Sequence, residues 1–399
     1  MGPEKTDKAG LSRHSIKLPP EQQAIRDRCF QPSGAFVEFT IEDVETSIPA
    51  GFEKIAQMHA DRIAVKTRNE ILLYSDLNAA ANRLARVIIA QQGDQSKPVG
   101  LLFGKGITQI VAMLGVLKAG KFFVLLDPSL PRPRSKEVLD DAQASLLVID
   151  RQYASLGSEA ASEDCRLLEF QSIDRGISTN NLCVKISPKA LASIVYTSGS
   201  GGQPKGVVQN HQNLLHRIRL YTQEYHICSQ DRVSLLSFGT SSAITNTLCA
   251  LLNGATLLSF DVIKEGVAGL ASWLSQERVP VCWVSSPLFR SLCETLKGEE
   301  RFADLRLIGV RSESVHKTDF ELYKKYSPRE CLFSSSLSST ESGTLSIYFA
   351  DQGTEIAGSE ELALAIMHHS CEQISEEELS GILNNLESLS EDELKQQLV

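Results

Sequence analysis

Residues 196–206 read YTSGSGGQPKG. This short segment holds Thr197, Ser198, Gly199, Ser200, Gly201, Gly202, Lys205 and Gly206, and it directly follows the apolar run Leu191-Ala192-Ser193-Ile194-Val195. A strand that feeds a Gly/Ser-rich loop ending in lysine is suited to holding phosphate. Glycine lets backbone N–H groups converge on an anion without Cβ crowding, and the lysine adds a full positive charge. The segment is not a Walker A loop. Neither Gly199 nor Gly201 starts a G-x-x-x-x-G-K-[ST] match, and Pro204 precedes the lysine.

Working outward, helical and strand patterns alternate along the chain. Asp76 to Gln91 has helical spacing through Leu77, Ala80, Ala81, Leu84, Val87 and Ile88. Val99 to Phe103, Lys121 to Leu126 and Ser145 to Ile149 read as strands, and Ile107 to Ala119 as a helix. After the loop, a helix is expected near 211–225, with Leu214, Ile218, Tyr221 and Tyr225 on one face; apolar segments follow at 233–238, 255–260, 279–284 and 305–310. This rhythm predicts an α/β protein with βαβ units, mainly parallel sheets and a two-lobed, doubly wound core. The expected division is an arm or linker at 1–35, a first lobe at 36–185, a second lobe carrying the loop at 186–358, and an acidic helical tail at 359–399. Two capping boxes mark that tail, Ser375-Glu376-Glu377-Glu378 and Ser390-Glu391-Asp392-Glu393.

The totals exclude several classes. A chain of 399 residues with 42% hydrophobic and 22% charged residues has a globular core. A net charge of −9 argues against a nucleic-acid binder. No apolar run is long enough to span a bilayer, so no membrane partner is expected. The nine cysteines include no C-x-x-C pair and read as core residues in a reducing, cytoplasmic setting. His211 and His216 read as capping or packing residues rather than ligands, and Tyr74, Trp273 and Trp283 as core.

The loop resembles the phosphate loop of the adenylate-forming (AMP-binding) superfamily, YTSGSTGxPKG, and other segments agree in order. Leu73-Tyr74-Ser75-Asp76-Leu77 is similar to the first core motif of nonribosomal peptide synthetase adenylation domains. Leu117-Lys118-Ala119-Gly120-Lys121, running on to Leu126-Asp127-Pro128, is similar to the second. Phe238-Gly239-Thr240-Ser241 stands at the F-D-x-S element, and Ser338-Ser339-Thr340-Glu341 at the G-x-T-E element. The likeness covers about 36–358. It implies ATP-dependent activation of an amino or other carboxylic acid as an acyl-adenylate, with ATP and Mg²⁺ as cofactors. By the same resemblance Lys205, Thr340 and Glu341 are catalytic. Thr197, Ser198, Gly199, Ser200, Gly201, Gly202, Lys205, Gly206, Ser338 and Thr340 hold the nucleotide, and Phe238, Gly239 and Ser241 line the substrate pocket. Glu341 would hold Mg²⁺. The implied partners are the acid substrate and, through the helical tail, a carrier protein or neighbouring synthetase module.

Several positions depart from that pattern. Gly201 replaces the usual loop threonine, and Leu337 stands where a tyrosine commonly stacks on adenine. Gly239 replaces the aspartate that pairs with the α-ammonium of an amino acid. Beyond Gly358 neither the T-G-D motif that holds the ribose nor the lysine in its N-G-K context appears in this sequence. Read as a whole, the chain is expected to be the first part of an adenylation domain joined to a module's end, with impaired turnover. The competing reading is a non-catalytic remnant serving as a nucleotide-binding or docking module. On local sequence alone, Ser334 to Ser346 reads equally well as a solvated loop.

Overall fold

The structure is a computed structural model that describes residues 20–30, 33, 35–198, 204–298, 302–311 and 315–355. The tail at 359–399, the stretch 1–19 and the loop residues Gly199 to Gly202 lie outside the described residues.

Fourteen strands among the described residues form two sheets. In chain order they are β1 (Ile63–Lys66), β2 (Ile71–Leu73), β3 (Pro98–Leu102), β4 (Phe122–Leu126), β5 (Leu146–Ile149), β6 (Arg166–Glu169), β7 (Leu191–Ser198), β8 (Pro204–Asn210), β9 (Arg232–Leu235), β10 (Thr256–Ser259), β11 (Val281–Ser285), β12 (Leu307–Arg311), β13 (Leu332–Ser339) and β14 (Gly343–Ala350). The six-stranded sheet runs β6-β5-β3-β4-β7-β8, and the eight-stranded sheet runs β14-β13-β12-β11-β9-β10-β1-β2. Pairing is parallel except at three rims, where β7/β8, β13/β14 and β1/β2 are antiparallel. The chain passes between sheets more than once: β1 and β2 join the larger sheet, and β7 and β8 the smaller.

The interior strands read as nearly unbroken apolar runs because both faces of each sheet are covered. Alternation then assigns each side chain to a layer. Val99 and Leu101 of β3 face the central core together with Val281, Trp283 and Leu307 of the other sheet. Leu102 faces the outer helices of the smaller sheet, and Cys282, Val284, Ile308 and Val310 those of the larger. The central layer contains helices Tyr74–Gln92, Ile107–Lys118 and Ser241–Leu252. The last two are buried almost all round, as a helix enclosed on every side requires. No helix of the described residues is long and apolar enough to cross a membrane.

Two of the motifs prove to be fasteners. The buried Tyr74 hydroxyl donates to the Ala255 carbonyl at 2.7 Å, joining the start of helix Tyr74–Gln92 to the strand before which Ala255 lies. Lys118 is buried and paired with Glu53; burial pulls its amine below the ordinary lysine value, and the Glu53 carboxylate opposes that. Near the N-terminus, the Gln22 side chain donates to the Phe349 carbonyl at 2.9 Å and accepts from the Phe349 N–H at 2.8 Å. It thereby occupies backbone groups on the exposed edge of β14 that could otherwise pair with another chain.

The helix expected near 211–225 is His211–Tyr225, capped by the Asn210 side chain, and an additional strand, β8, lies between it and the phosphate-type loop. One local reading changes. Ser334 to Ser346 is not a solvated loop. It forms most of the β13/β14 hairpin, in which Ser334 and Ser335 are buried.

Candidate functional site

In doubly wound sheets, ligands gather at the carboxyl ends of the strands, where the connecting loops leave the sheet. The singled-out residues lie there. Phe238 and Gly239 follow β9, Thr340 follows β13, and β7 runs out at Ser198. β7 and β8 form a hairpin around 199–203, with Thr197 opposite Lys205 and Tyr196 opposite Gly206. Lys205 is exposed and Thr197 half-buried, so the lysine stands free in solvent beside the mouth of that turn. Tyr196 donates to the Asp141 carboxylate at 2.6 Å. Burial and that carboxylate together raise its phenol, which stays a donor.

A polar junction ties the motif segments together. Gln209 on β8 is buried; its amide oxygen accepts from the Ser193 hydroxyl at 3.1 Å and its amide nitrogen donates to the Ser241 hydroxyl at 3.2 Å. The same nitrogen reaches the Thr340 carbonyl at 3.5 Å. Arg217, on helix His211–Tyr225, donates to the Ser241 hydroxyl at 2.8 Å and to the Thr340 carbonyl at 3.5 Å. Burial lowers the Arg217 guanidinium from its ordinary value, yet a guanidinium remains a cation in proteins. Ser241 opens helix Ser241–Leu252, which Thr240 caps by accepting from the Ala243 N–H at 3.1 Å. One arginine and one glutamine therefore hold the 238–241 segment against the 340–342 turn.

Gly239 has φ +74°, the left-handed region that favours glycine, with open space where a Cβ would stand. Phe238 and Gly239 line a small cavity with Gln109, Met113, Ala243 and Thr247. Lys105, in the loop after β3, places its ammonium 5.9 Å from the Phe238 ring centre. Thr340 is half-buried, whereas Ser338 and Glu341 are exposed.

The structure brings Ser241 and Thr340 together through Gln209 and Arg217. The Thr197–Lys205 pair lies toward the other end of the β7/β8 hairpin from Gln209. Gly199, Ser200, Gly201 and Gly202 are outside the described residues, as is the side chain of Ser198. Sequence reasoning missed Gln209 and Arg217. One signal was available: Arg217 falls on the same helical face as Leu214, Ile218 and Tyr221, a stripe that otherwise buries apolar groups. His211, read as a packing residue, is buried and accepts from the Ile48 N–H at 3.2 Å.

No three His, Cys, Asp or Glu side chains gather as a metal centre among the described residues. Glu341 offers one solvent-facing carboxylate at the 340–342 turn. That suits Mg²⁺, which is commonly held by one or two carboxylates and completes its shell with phosphate oxygens and water.

Comparison with known proteins gives a consistent family picture. The family model "AMP-binding enzyme" matches residues 52–363. The chain is 29% identical over 320 residues to Gramicidin S synthase 2 of Brevibacillus brevis, covering 78% of this chain and 7% of that one. It thus spans only a small fraction of that relative's length. Among solved structures, the Klebsiella oxytoca NpsA N-terminal subdomain in complex with 3-hydroxybenzoyl-AMSN has a similar fold, with TM-score 0.69 and 20% identity over 79% of each chain. So has NpsA-ThdA, an artificially fused adenylation-PCP di-domain from the same organism, with TM-score 0.67 and 20% identity over 79% of this chain and 64% of that one.

Proposed function

The chain belongs to the AMP-binding enzyme family, and from that premise we propose that it activates a carboxylic or amino acid with ATP to give an acyl-adenylate, as part of nonribosomal peptide or hybrid polyketide biosynthesis. The observation that carries this reading is the junction in which Gln209 and Arg217 hold Ser241 against Thr340. It assembles motif segments distant in sequence at the carboxyl edge of the larger sheet.

In this reaction a carboxylate oxygen of the acid attacks the α-phosphorus of ATP. The bond from that phosphorus to the bridging oxygen breaks, and pyrophosphate leaves with the electron pair. The protein's task is positioning and charge compensation. Lys205, opposite Thr197 at the mouth of the hairpin, would offset charge on the β- and γ-phosphates, with the N–H groups of the loop through Gly199–Gly202 and Gly206 and the Ser198 and Ser200 hydroxyls around it. Thr340 and Ser338 would face the α-phosphate side. Glu341 would hold Mg²⁺, which supplies further neutralisation of phosphate charge when bound. Phe238, Gly239 and Ser241 would border the acid. A carrier protein is the proposed acceptor of the activated acyl group.

ATP–pyrophosphate exchange over a panel of carboxylic and amino acids tests this reading. Acid-dependent exchange supports it. ATP binding by calorimetry with no exchange for any acid would favour a nucleotide-binding or docking module instead.

A further inference from the structure

The larger sheet contains a buried cation that no ion pair among the described residues accounts for. Arg311, the last residue of β12, is 6% exposed. Its guanidinium carbon lies 4.6 Å from the ring centre of Tyr221, 4.8 Å from that of Trp283 and 5.5 Å from that of Tyr225. Three aromatic faces compensate part of the desolvation of a cation. They do not supply the acceptor oxygens that its N–H groups require. Nη1 reaches the Asn246 side-chain oxygen at 3.5 Å, while Nε and Nη2 are buried without a partner among the described residues.

The neighbouring unmatched groups have the same character. Trp283 Nε1, which can only donate, is also buried without a partner, and so are the Tyr225, Ser334 and Ser336 hydroxyls, each of which can donate or accept. The register Gly309↔Ser334 and Val310↔Ser335 places Ser336 beside Arg311 on the adjacent strand. Native proteins rarely leave such groups unpaired, and a cluster of them marks an unfilled role. Each of these positions can donate and one is a fixed cation, so the complement is an anion with several acceptor oxygens. The planar fork of a guanidinium matches a carboxylate.

The location connects this cluster to the proposed substrate site. Arg217 and Tyr221 are one turn apart on helix His211–Tyr225. Arg217 touches Ser241 and Thr340, and the Tyr221 hydroxyl lies 3.1 Å from that of Thr344. Arg311 lies over the ring of Tyr221, one helical turn along from Arg217. Asn246, which it also touches, is on helix Ser241–Leu252, the helix that Ser241 opens. At the near end Gly239 offers no charge to an ammonium group.

We propose that Arg311 is a specificity-determining residue that receives a second carboxylate of the acid, so that the substrate is a dicarboxylic acid rather than an ordinary α-amino acid. This inference rests on adenylate formation at the same site. One carboxylate of the diacid reacts near Ser241 and Thr340; the other meets Nε and Nη2 of Arg311 within the aromatic ring cluster.

The test is calorimetric titration of the full chain, with ATP present, using matched probes: glutarate against pentanoate, and isophthalate against benzoate. At least one diacid is expected to bind about ten-fold or more tighter than its monoacid, the scale of charge-assisted hydrogen bonds. Arg311→Met should abolish that preference, bringing each diacid to the affinity of its matched monoacid, and Arg311→Lys should restore only part of it. Equal binding within both pairs, or a preference that survives Arg311→Met, would overturn the inference. If Arg311→Met does not fold, the wild-type pairs decide alone. Exchange driven by monoacids but by neither diacid would overturn the role of Arg311 and leave adenylate formation standing. Silence with every acid would count against adenylate formation, and the diacid titration would still decide whether Arg311 receives a carboxylate.

Discussion

The Arg217 guanidinium donates to the Ser241 hydroxyl at 2.8 Å, joining the helix that follows β8 to the start of the helix that follows β9. Because the same side chain reaches the Thr340 carbonyl at 3.5 Å, one residue without a motif of its own fixes the distance between two that have them. Gln209 repeats the connection from the β8 side.

Removing that connection has a measurable cost. Arg217→Met leaves the Thr340 carbonyl with a weaker set of donors and Ser241 with one partner fewer. The expected loss is about 1–3 kcal/mol in urea unfolding, together with weaker acid-dependent exchange. Arg217→Lys, which keeps the charge but not the fork, should recover part of both. Unchanged stability and exchange in Arg217→Met would show that the junction is incidental.

Gly343 opens β14 at φ +76°, and a Cβ there would stand 3.1 Å from Nε of Arg217. Gly343→Ala therefore adds backbone strain and presses on the residue that organises the junction. We expect a destabilisation of about 1–3 kcal/mol, read by denaturant unfolding, and a further loss of exchange. A neutral Gly343→Ala would contradict the close approach of the 340–342 turn to helix His211–Tyr225.

His211 gives a pH signature. Burial pushes its imidazole down to about 4 from an ordinary value of 6.5. The unfolded chain takes up this proton near pH 6.5, whereas the folded chain resists it until about pH 4. Stability from this group is therefore fully present above pH 6.5 and is lost progressively as the pH falls toward 4, by on the order of 3 kcal/mol in all. His211→Asn can still accept from the Ile48 N–H but does not titrate. Its unfolding free energy should fall less steeply than wild type between pH 6.5 and 4; identical slopes would place the proton uptake elsewhere.

Much of the scaffold was legible because it follows from periodicity. Helix His211–Tyr225 appears where its apolar stripe placed it, β10 lies within its expected apolar segment, and β9, β11 and β12 overlap theirs, each passing it by one residue at one end. What could not be read was long-range pairing. Nothing local says that Val65 of β1 pairs with Leu257 of β10, since parallel partners are chosen by the whole sheet. The serine-rich β13 looked like a loop because its composition is polar. It is a strand because Leu332 to Ser335 are buried and its backbone pairs with β12 on one side and β14 on the other. The site shows the same division. Thr340 and Ser241 stood out through their motifs, whereas Gln209, Arg217 and Arg311 act through where the fold puts them. An arginine at the end of an apolar strand, or on the apolar face of a helix, is the sequence trace they leave.

The most direct measurement of the central claim is acid-dependent ATP–pyrophosphate exchange by the wild-type chain and by Lys205→Ala, at equal concentration and with folding of both verified. Lys205 stands exposed opposite Thr197 at the mouth of the hairpin, so its removal should not disturb the core. If the hairpin holds the phosphates of ATP, exchange should fall by about 10²-fold, the cost of losing one preorganised charge-stabilising group. Exchange that is unaffected by Lys205→Ala, or that proceeds without any dependence on an acid, would contradict the account.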